Sequence, residues 1–423
     1  MIYFSIGSEN DVIDLQSVRE HLFSMLEKLG FKNKVLIVPP DYTRFHSMAG
    51  YLTSYAYEYY KEKVTDILPA LGTHTPMTER EITTMFPNVP PSLFRIHNWR
   101  EDLTTLGRVP AEFVNSVSDG KVNYDWPAQV NKLLVDWKFD LILSIGQVVP
   151  HEVIGMANYN KNIFVGTGGK EGINKSHFLG AAYGMEKIMG RADTPVRRVL
   201  NYASEHFANE LPILYVLTVV GKDDKGKLVI RGLYIGDDHA TFEKAAELSL
   251  KVNFQLLDEP LKKVVVYLDP EEFKSTWLGN KSIYRTRMAI ADEGELIVLA
   301  PGLKEFGEDK TIDLLIRKYG YRNSEEVLKL TEENEDLKNN LSAAAHLIHG
   351  SSEGRFKVTY CTDKLTKEEI ESVKFNYAPL EEMMNIYNPN TLKDGFNKLE
   401  NGEEIFYISN PALGLWAYKE KFK

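Results

Sequence analysis

Residues 34–46, KVLIVPPDYTRFH, consist of a short apolar run, two prolines and a polar loop. An apolar run of this length is typical of a buried strand, and the prolines stiffen the backbone where the strand ends. The arrangement recurs downstream, where DILPALG leads into THTPM and LILSIGQVV leads into PHEVIG. This repeated strand-to-loop pattern decides the fold class.

Helical stretches separate these strands. Residues 12–29, VIDLQSVREHLFSMLEKL, carry apolar side chains at helical spacing and stop at Gly30, a residue type common after the last helical turn. Strands that alternate with helices predict an α/β chain with largely parallel sheets. Residues 213–236 instead predict a hairpin around an Asp-Lys-Gly turn, followed by a helix over ATFEKAAELSLKVNFQLL.

The length of 423 residues, 43% of them hydrophobic, suits two or three domains that each bury a core. The polar link DEPLKK, residues 258–263, precedes the new strand KVVVYLD and marks the clearest boundary. We therefore predict two α/β domains, an N-terminal one over residues 1–262 and a C-terminal one over residues 263–400. Residues 401–423, which include the strand-like EEIFYISN, are expected to return to the first domain.

Charge and cysteine content exclude several classes of function. The net charge is −10 without a strongly basic block, which argues against a nucleic-acid partner. The single Cys361 cannot form an internal disulfide or a Cys-based zinc or iron–sulfur site within one chain. The first residues lack the basic start and apolar core of a signal peptide, and no run of roughly 18 apolar residues occurs. We expect a cytoplasmic protein without a membrane partner.

The loops that follow the strands carry polar side chains suited to a ligand site. In α/β sheets the loops at the carboxyl ends of parallel strands meet at one edge, and Asp41, Arg44, His74 and His151 all lie in such loops. Arg44 could clamp a carboxylate with two parallel hydrogen bonds. An ion pair between Asp41 and Arg44 is the other interpretation of this loop.

His74 lies between a strand end and a helix start, since Thr78 and Glu81 form a T-x-x-E capping box. Backbone N–H groups at a helix start favour an anionic ligand, and an imidazole there can move protons near neutral pH. A packing or capping histidine explains the pattern equally well. Residues 97–99, His-Asn-Trp, could line a site, but a polar turn with one packed tryptophan is the preferred interpretation.

Residues 150–177, PHEVIGMANYNKNIFVGTGGKEGINKSH, open and close on a histidine and hold one isolated lysine, Lys161. They contain no compact metal motif, no Walker motif and no dinucleotide-binding glycine motif. The glycines at 166–169 could hold a phosphate with backbone N–H groups. Taken alone, the residues indicate an α/β enzyme with two candidate acid/base histidines, an anion clamp and a reactive or phosphate-binding lysine.

The order of these motifs resembles the nickel-dependent lactate racemase family of 2-hydroxyacid racemases and epimerases. PDYTR resembles the family's P-D-x-T-R, LGTHTPMTERE its G-x-H-x-P-M-T-x-x-E, and IHNWREDLTTLG its N-H-[DE] segment ending in Leu-Gly. PHEVIGMANYNK resembles its P-H-x-x-x-G-F-x-G-G-x-K. Gly166 and Gly169 then fall on the family's two glycines, and His177 falls on its closing histidine.

The resemblance implies a cofactor and a set of roles. Lys161 would tether a nickel-pincer nucleotide, a pyridinium-derived mononucleotide, through a thioamide bond, and His177 would bind the nickel. His74 and His151 would be the two acid/base groups, and Arg44 would hold the substrate. Proteins that synthesise the cofactor are then expected partners.

The implied reaction is proton-coupled hydride transfer. One histidine takes the hydroxyl proton while the carbon-bound hydride passes to the cofactor, and hydride then returns to either face of the keto intermediate. Reaction from both faces needs an acid/base group on each side, which two histidines from different strand ends can supply. Asp41, Gly166 and Gly169 are expected beside the cofactor, in an active site in the cleft between the two domains.

The chain departs from the family pattern at two places. Residues 158–160, Asn-Tyr-Asn, replace the glycine pair before the tethering lysine. In the second domain Tyr284 matches the family, but Arg285 stands where glutamine is usual and Met288 where lysine is usual. That lysine holds the small hydroxyacid in the family, so its loss argues against lactate. Arg285 and Arg287 could bind a larger substrate such as a sugar acid, or they could belong to an exposed helix start.

We expect an isomerase that inverts a hydroxyl-bearing carbon of a sugar-acid-like 2-hydroxyacid. One alternative is a racemase of short-chain 2-hydroxyacids. Another is an epimerase or oxidoreductase with the same cofactor that acts on a neutral carbohydrate, for which Arg44 would have no carboxylate to bind. A non-enzymatic carrier or sensor of the nickel cofactor would not need His74 and His151.

Overall fold

The computed structural model describes residues 1–223 and 225–422. The chain divides into two compact units. Unit 1 consists of Met1–Leu179 and Ile188–Asn253, and unit 2 consists of Gly180–Lys187 and Phe254–Lys423. The first unit therefore ends at Asn253, ahead of the boundary at residue 262 that the sequence predicts.

Unit 1 contains ten strands within the described residues. They are β1 (Ile2–Gly7), β2 (Val35–Val38), β3 (Val64–Ile67), β4 (Leu103–Val109), β5 (Trp126–Asn131), β6 (Leu141–Gln147), β7 (Pro150–His151), β8 (Gly155–Met156), β9 (Ile213–Lys222) and β10 (Leu228–Gly236). Six of them form a sheet in the order β1-β10-β9-β6-β2-β3. The strands from β9 to β3 are parallel, and β1, β10 and β9 are antiparallel.

The helices up to residue 253 lie between these strands in the chain, except the last, which follows β10. They are α1 (Leu15–Lys28), α2 (Ala49–Tyr60), α3 (Glu79–Met85), α4 (Ala111–Val117), α5 (Leu133–Asp136), α6 (Lys170–Tyr183), α7 (Met185–Ile188), α8 (Pro195–Phe207) and α9 (His239–Asn253). Short 3₁₀ turns cover Tyr42–Ser47, Lys61–Lys63 and Pro91–Leu93, and a π-helical turn covers Asn162–Gly166.

The two elements that begin the α/β pattern form as predicted. β2 is fully buried and pairs in parallel with both β3 and β6, so its branched side chains have packing on both faces. α1 begins after Asp14, whose carboxylate accepts the Ser17 N–H at 2.8 Å, and it ends before Gly30, which has φ +74°. The predicted hairpin is β9 and β10, although Asp224 of its turn lies outside the described residues.

Unit 2 carries a second, mostly parallel sheet. Its strands are β11 (Phe254–Leu257), β12 (Leu261–Tyr267), β13 (Ile290–Leu299), β14 (Lys357–Cys361), β15 (Asn376–Ala378), β16 (Gly395–Lys398), β17 (Glu404–Ile408) and β18 (Leu415–Tyr418). Six of them form a sheet in the order β15-β14-β13-β12-β17-β16, in which only the β16–β17 pair is antiparallel. The predicted fold class, α/β with two largely parallel sheets, is therefore confirmed.

The helices after residue 253 cover this second sheet's connections. They are α10 (Thr276–Gly279), α11 (Lys281–Tyr284), α12 (Lys310–Tyr319), α13 (Ser324–Glu333), α14 (Glu335–Lys338), α15 (Leu341–His349), α16 (Lys367–Ser372) and α17 (Leu380–Ile386), with 3₁₀ turns at Pro411–Leu413 and Lys419–Phe422. No helix among the described residues is long and apolar enough to cross a membrane.

Two predictions from the sequence are wrong, one about the unit to which residues 401–423 belong and one about where α9 ends. Residues 401–423 do not return to the first unit, because β17 pairs in parallel with β12 inside the second sheet. The helix predicted to run through residue 257 ends at Asn253, because Phe254–Leu257 pairs instead with β18. In both cases pairing with a distant strand overrides what the local pattern favours.

Candidate active site

The carboxyl ends of three adjacent strands present the candidate residues of unit 1. Asp41 and Arg44 follow β2, His74 follows β3, and His151 follows β6. Because β3, β2 and β6 are parallel neighbours, their following loops meet at one edge of the sheet. Between the first two loops, the Ala70 N–H donates to the Pro39 carbonyl oxygen at 2.8 Å.

Asp41 and His74 form a hydrogen-bonded pair. The His74 Nδ1–H donates to Asp41 Oδ2 at 2.6 Å, and the Thr43 hydroxyl donates to Asp41 Oδ1 at 2.6 Å. Burial would raise the pKa of the Asp41 carboxyl, but His74, Thr43 and Arg44 together bring that pKa below its ordinary value. The carboxylate therefore stays charged, and it fixes the His74 tautomer that has Nε2 as its basic nitrogen.

Arg44 does not form the ion pair that the sequence left open. Asp41 uses its carboxylate on His74 and Thr43, and only the backbone N–H of Arg44 reaches Asp41, at its carbonyl oxygen, 3.0 Å away. In the described part of the chain no hydrogen bond or ion pair engages the Arg44 guanidinium group, which is half-buried. The planar Arg44 guanidinium group thus offers its N–H donors to an anionic ligand.

The loop after His74 is built as the sequence predicts. Thr78 caps α3 by accepting the Glu81 N–H at 3.3 Å, and the Glu81 carboxylate accepts the Thr78 N–H at 2.7 Å. His74 itself lies on the preceding turn, where its N–H donates to the Leu71 carbonyl oxygen at 3.0 Å. The side chain is 36% exposed, so the ring pairs with Asp41 on one side and remains accessible.

His151 is held by the turn between β7 and β8. It is buried, and its Nδ1 accepts the Val153 N–H at 3.1 Å. A neutral ring in this arrangement carries its proton on Nε2, because Nδ1 is used as an acceptor. The Glu152 carboxylate lies 3.6 Å from the same Nδ1 atom. The sequence analysis did not single out Glu152, and its place beside a candidate histidine was the available signal.

Lys161 lies at the start of the π-helical turn, half-buried among charged neighbours. Burial, aided by Arg44 and Arg197, lowers its pKa to about 8, although Glu152 and Asp41 act in the opposite direction. Within residues 1–223 and 225–422 its ammonium group has no hydrogen bond or ion pair. A lysine of this kind has a substantial neutral fraction near neutral pH and can act as a nucleophile.

The segment before Lys161 has Asn-Tyr-Asn where the family has a glycine pair. Its backbone nevertheless adopts, at two of these residues, the left-handed conformation that glycine favours. Asn158 and Tyr159 both have positive φ, 66° and 58°. Arg197, which is fully buried, donates to the Asn158 carbonyl oxygen at 3.2 Å, to the Met156 carbonyl oxygen at 2.7 Å and to the Asn160 side chain. Sequence reasoning missed Arg197 because it lies on α8, far along the chain.

The glycines after Lys161 stand where side chains do not fit. A Cβ at Gly166 would lie 2.6 Å from the Ala70 Cβ, and a Cβ at Gly169 would lie 2.5 Å from Gln129 Oε1. The Gly166 carbonyl oxygen accepts the Gly72 N–H at 2.8 Å, which joins this segment to the His74 loop.

His177 lies on α6, and one of its two ring nitrogens is already hydrogen-bonded within that helix. Its Nδ1–H donates to the Ile173 carbonyl oxygen at 2.7 Å, so Nε2 is the nitrogen that can bind a metal. Burial lowers its pKa, helped by Lys161 and His74, and the neutral form is the one that a metal needs. No group of three or more His, Cys, Asp or Glu side chains among the described residues could hold a metal ion.

His97 has the structural role that the sequence analysis preferred. Its Nε2–H donates to the Gly168 carbonyl oxygen at 2.9 Å, and its Nδ1 accepts from the Asn131 amide at 2.9 Å. Trp99 is stacked by the Arg100 guanidinium group, 3.7 Å from the ring centroid. Trp99 and Arg100, but not His97, line a shallow cavity of about 370 Å³ together with Leu103, Gln129, Lys170, Glu171 and Asn174.

The candidate residues of unit 2 lie on and after α11. Tyr284 is buried with its ring centroid 6.3 Å from that of His349, and the buried Arg285 donates to the Gly414 carbonyl oxygen at 3.4 Å. Arg287 pairs with Glu186 and Glu353 at 3.3 and 3.5 Å. These arginines are therefore not an exposed helix start, and Arg287 already has two carboxylate partners.

Residues 20–187, which hold every unit 1 candidate, match the family model of the lactate racemase N-terminal domain. This chain contains a lactate racemase N-terminal domain. The match confirms the resemblance to the lactate racemase family that the sequence motifs indicate.

Solved structures extend the similarity of this lactate racemase-like chain over both units. A crystal structure of a protein from Thermotoga maritima is 25% identical with a TM-score of 0.81, covering 96% of this chain and 99% of that one. The lactate racemase apoprotein from Thermoanaerobacterium thermosaccharolyticum is 18% identical with a TM-score of 0.70, covering 96% and 93%. No curated protein matches the chain significantly. The second structure supports the fold alone.

Proposed function

We propose that this protein is a racemase or epimerase that inverts a hydroxyl-bearing carbon of a sugar-acid-like 2-hydroxyacid and uses a tethered nickel-pincer nucleotide. The observation that carries the proposal is Lys161, a half-buried lysine without a partner whose pKa is lowered to about 8. Arg44 and Asp41 both act on the pKa of this lysine, and Asp41 is hydrogen-bonded to His74. The lactate racemase N-terminal domain supports a 2-hydroxyacid racemase type of activity.

The residues of unit 1 fit the proposed cofactor. Lys161 offers an amine that can form the thioamide bond, and His177 offers Nε2 to the metal. Gly166 and Gly169 let the segment after Lys161 pack closely against Ala70 and Gln129, where a side chain would not fit. When bound, the cofactor would supply a reversible hydride acceptor, so that a carbon–hydrogen bond can break and form again.

The two histidines supply the proton chemistry in this proposal. His74 Nε2 accepts the hydroxyl proton, because Nδ1–H is held by the charged Asp41. The substrate carbon then becomes a planar keto centre that can be attacked on either face. His151 returns a proton from Nε2 to the oxygen when its ring is an imidazolium, and the ring is then neutral with Nδ1 accepting from Val153. Asp41 stabilises the imidazolium form of His74 throughout.

Arg44 orients the substrate. Its guanidinium group can grip a carboxylate through two parallel hydrogen bonds, which fixes the hydroxyl-bearing carbon relative to His74. A half-buried guanidinium without a protein partner is otherwise costly to maintain, so a recurrent anionic ligand explains it. A neutral carbohydrate would give Arg44 no such partner, which is why we place it second.

The substrate class rests on the departures in unit 2. Met288 is buried where the family has a lysine, so the cation that helps hold a short hydroxyacid is missing. A racemase of short-chain 2-hydroxyacids is therefore the second alternative. A panel of sugar acids, lactate and neutral sugars separates these classes, since we expect isomer interconversion without net redox change for a sugar acid and not for lactate or a neutral sugar.

The first experiment is an intact-protein mass spectrum of the chain co-expressed with the cofactor-making enzymes, with nickel measured in parallel. We expect an added nucleotide-sized mass on Lys161 and nickel in proportion to it. Lys161→Ala should lose both, whereas the exposed Lys170→Ala should keep both. His177→Ala should keep the added mass but lose roughly tenfold or more in nickel affinity. An unmodified chain, in cells that load a control racemase, would refute the proposal.

A further inference from the structure

Glu152 is a largely buried carboxylate that the proposed reaction does not yet use. It follows His151 in the turn between β7 and β8, and its side chain is 19% exposed. Burying a carboxylate is costly unless cations face it. Glu152 acts on the site's basic groups, since it raises the pKa values of Lys161 and His177. It therefore belongs to the same charged cluster as the candidate acid/base groups.

The contacts of His151 Nδ1 depend on its proton. In the neutral ring Nδ1 accepts the Val153 N–H at 3.1 Å. Once the ring becomes an imidazolium, Nδ1 carries a proton and can no longer accept from Val153. The Glu152 carboxylate, 3.6 Å from the same atom, is then positioned to take that proton's hydrogen bond after a small movement. Each charge state of the ring thus has a partner on the same turn.

We propose that Glu152 is a positioning residue that holds the protonated His151 ring, as Asp41 holds the imidazolium form of His74. The inference rests on the proposed function, in which His151 exchanges a proton with the substrate hydroxyl. The two carboxylates are not equivalent: Asp41 lies 2.6 Å from His74 Nδ1, whereas Glu152 lies 3.6 Å from His151 Nδ1. Asp41 therefore contacts the His74 ring directly, whereas Glu152 engages the His151 ring only once Nδ1 carries a proton.

The test must separate Glu152 from the other charges in the cluster. Glu152 raises the pKa values of Lys161 and His177. Arg44 and Asp41 also shift the pKa of Lys161, and His74 also shifts that of His177. All of them remain in a Glu152→Gln variant, so a change in His151 reports the loss of one carboxylate. Glu171→Gln is the matched control, since Glu171 is paired with Arg108 and Lys175 on the surface of unit 1.

The measurement is the NMR titration of His151 in apoprotein labelled at histidine Cε1, with the signal assigned by its loss in His151→Gln. We expect Glu152→Gln to lower the His151 pKa by about half a unit or more, because the imidazolium loses its carboxylate, and Glu171→Gln to leave it unchanged. Glu152→Asp should restore most of the wild-type value. A wild-type titration in either folded variant, Glu152→Gln or one with Ala at this position, would overturn the inference.

A second readout distinguishes this inference from the proposed function. The titration uses apoprotein and needs neither cofactor nor substrate. If His151 shifts as expected while the loaded protein isomerises no hydroxyacid, the positioning role stands and the proposed function fails. If the loaded enzyme is active and its pH profile is the same in wild type and Glu152→Gln, the positioning role fails and the proposed function stands.

Discussion

Lys161 combines two properties that a structural lysine rarely has, burial and the absence of a counter-ion among the described residues. Its pKa falls to about 8 because burial penalises the charged form and Arg44 repels it. Such a residue costs stability while it makes an amine available for reaction. At the scale of the single residue, the cost in stability is explained by the tethering role that we propose for Lys161.

Replacement of this lysine should stabilise the apoprotein. The folded-state pKa is about 8 and the unfolded value is 10.5, so below pH 8 both states are charged and the full cost of burial is present. We expect Lys161→Met to raise the free energy of unfolding by about 1–3 kcal/mol at pH 7, after allowing for partial exposure. The gain should shrink as pH rises from about 8 to 10.5, because the folded and then the unfolded lysine become neutral.

Urea unfolding of the cofactor-free protein at a series of pH values checks this prediction. Lys170→Met, at the exposed start of α6, is the matched control and should show no such pH dependence. An equal response of the two variants at every pH would contradict the buried state of Lys161.

Arg44 provides the second prediction at the residue scale. Arg44→Lys keeps the charge but loses the planar fork, so the loaded enzyme should lose roughly 10- to 100-fold in kcat/KM on carboxylate substrates. The loss should be much smaller on any neutral substrate. Arg19→Lys, which alters an ion pair with Glu58 on the surface, is the control and should leave kcat/KM unchanged. Equal losses on charged and neutral substrates would favour the neutral-carbohydrate alternative.

At the scale of the element, the segment from β8 to the π-helical turn shows how a helix far along the chain fixes a loop. Asn158 and Tyr159 occupy the left-handed region without being glycine, which costs conformational energy. Arg197 on α8 offsets that cost by donating to the carbonyl oxygens of Met156 and Asn158. Tyr159 adds a stack on Phe242, with centroids 5.4 Å apart. The departure from the family glycines is thus accommodated by neighbours.

We expect Arg197→Lys to destabilise the protein by about 2–4 kcal/mol, since one ammonium group cannot reach all the acceptors that the guanidinium group serves. Chemical denaturation of unit 1, followed by hydrogen exchange of amides around residues 156–160, measures the effect. Arg198→Lys is the adjacent control, because Arg198 pairs with the exposed Asp193. Similar midpoints for the two variants would show that Arg197 does not hold the loop.

At the scale of the whole molecule, the chain does not divide where its local pattern suggests. Residues 180–187 belong to unit 2 although unit 1 resumes at Ile188, and the last strands complete the second sheet rather than the first. β17 lies between β12 and β16, which makes it an inner strand. The carboxyl-terminal residues are therefore structural members of unit 2.

Removal of residues 404–423 should consequently unfold unit 2, because β12 would lose one of its two parallel partners and an inner position of the sheet would be empty. Hydrogen exchange should show loss of protection in β12 and β13. A shorter deletion of residues 419–423, which removes only the last 3₁₀ turn, should keep that protection. Retained protection in the longer deletion would mean that residues 401–423 are not part of this sheet's core.

The local pattern alone determined much of this protein. The run KVLIVPP became β2, the capping box of Thr78 and Glu81 formed, and the hairpin of β9 and β10 appeared, because each depends on neighbours within a few residues. The rule that parallel strands gather their loops at one edge brought Asp41 and His74 together. The family match followed from motifs, so the fold class and the candidate site were readable early.

Tertiary structure decided what depends on distant partners. Whether Asp41 pairs with Arg44 was open in sequence, and the 2.6 Å contact of Asp41 with His74 across two loops decided it. The pairing of β17 with β12 and the burial of Arg197 join segments far apart in the chain, and no local pattern encodes such choices. The pKa of Lys161 likewise depends on burial and on charges from other loops. Sequence placed the reactive groups, and packing set their partners and charge states.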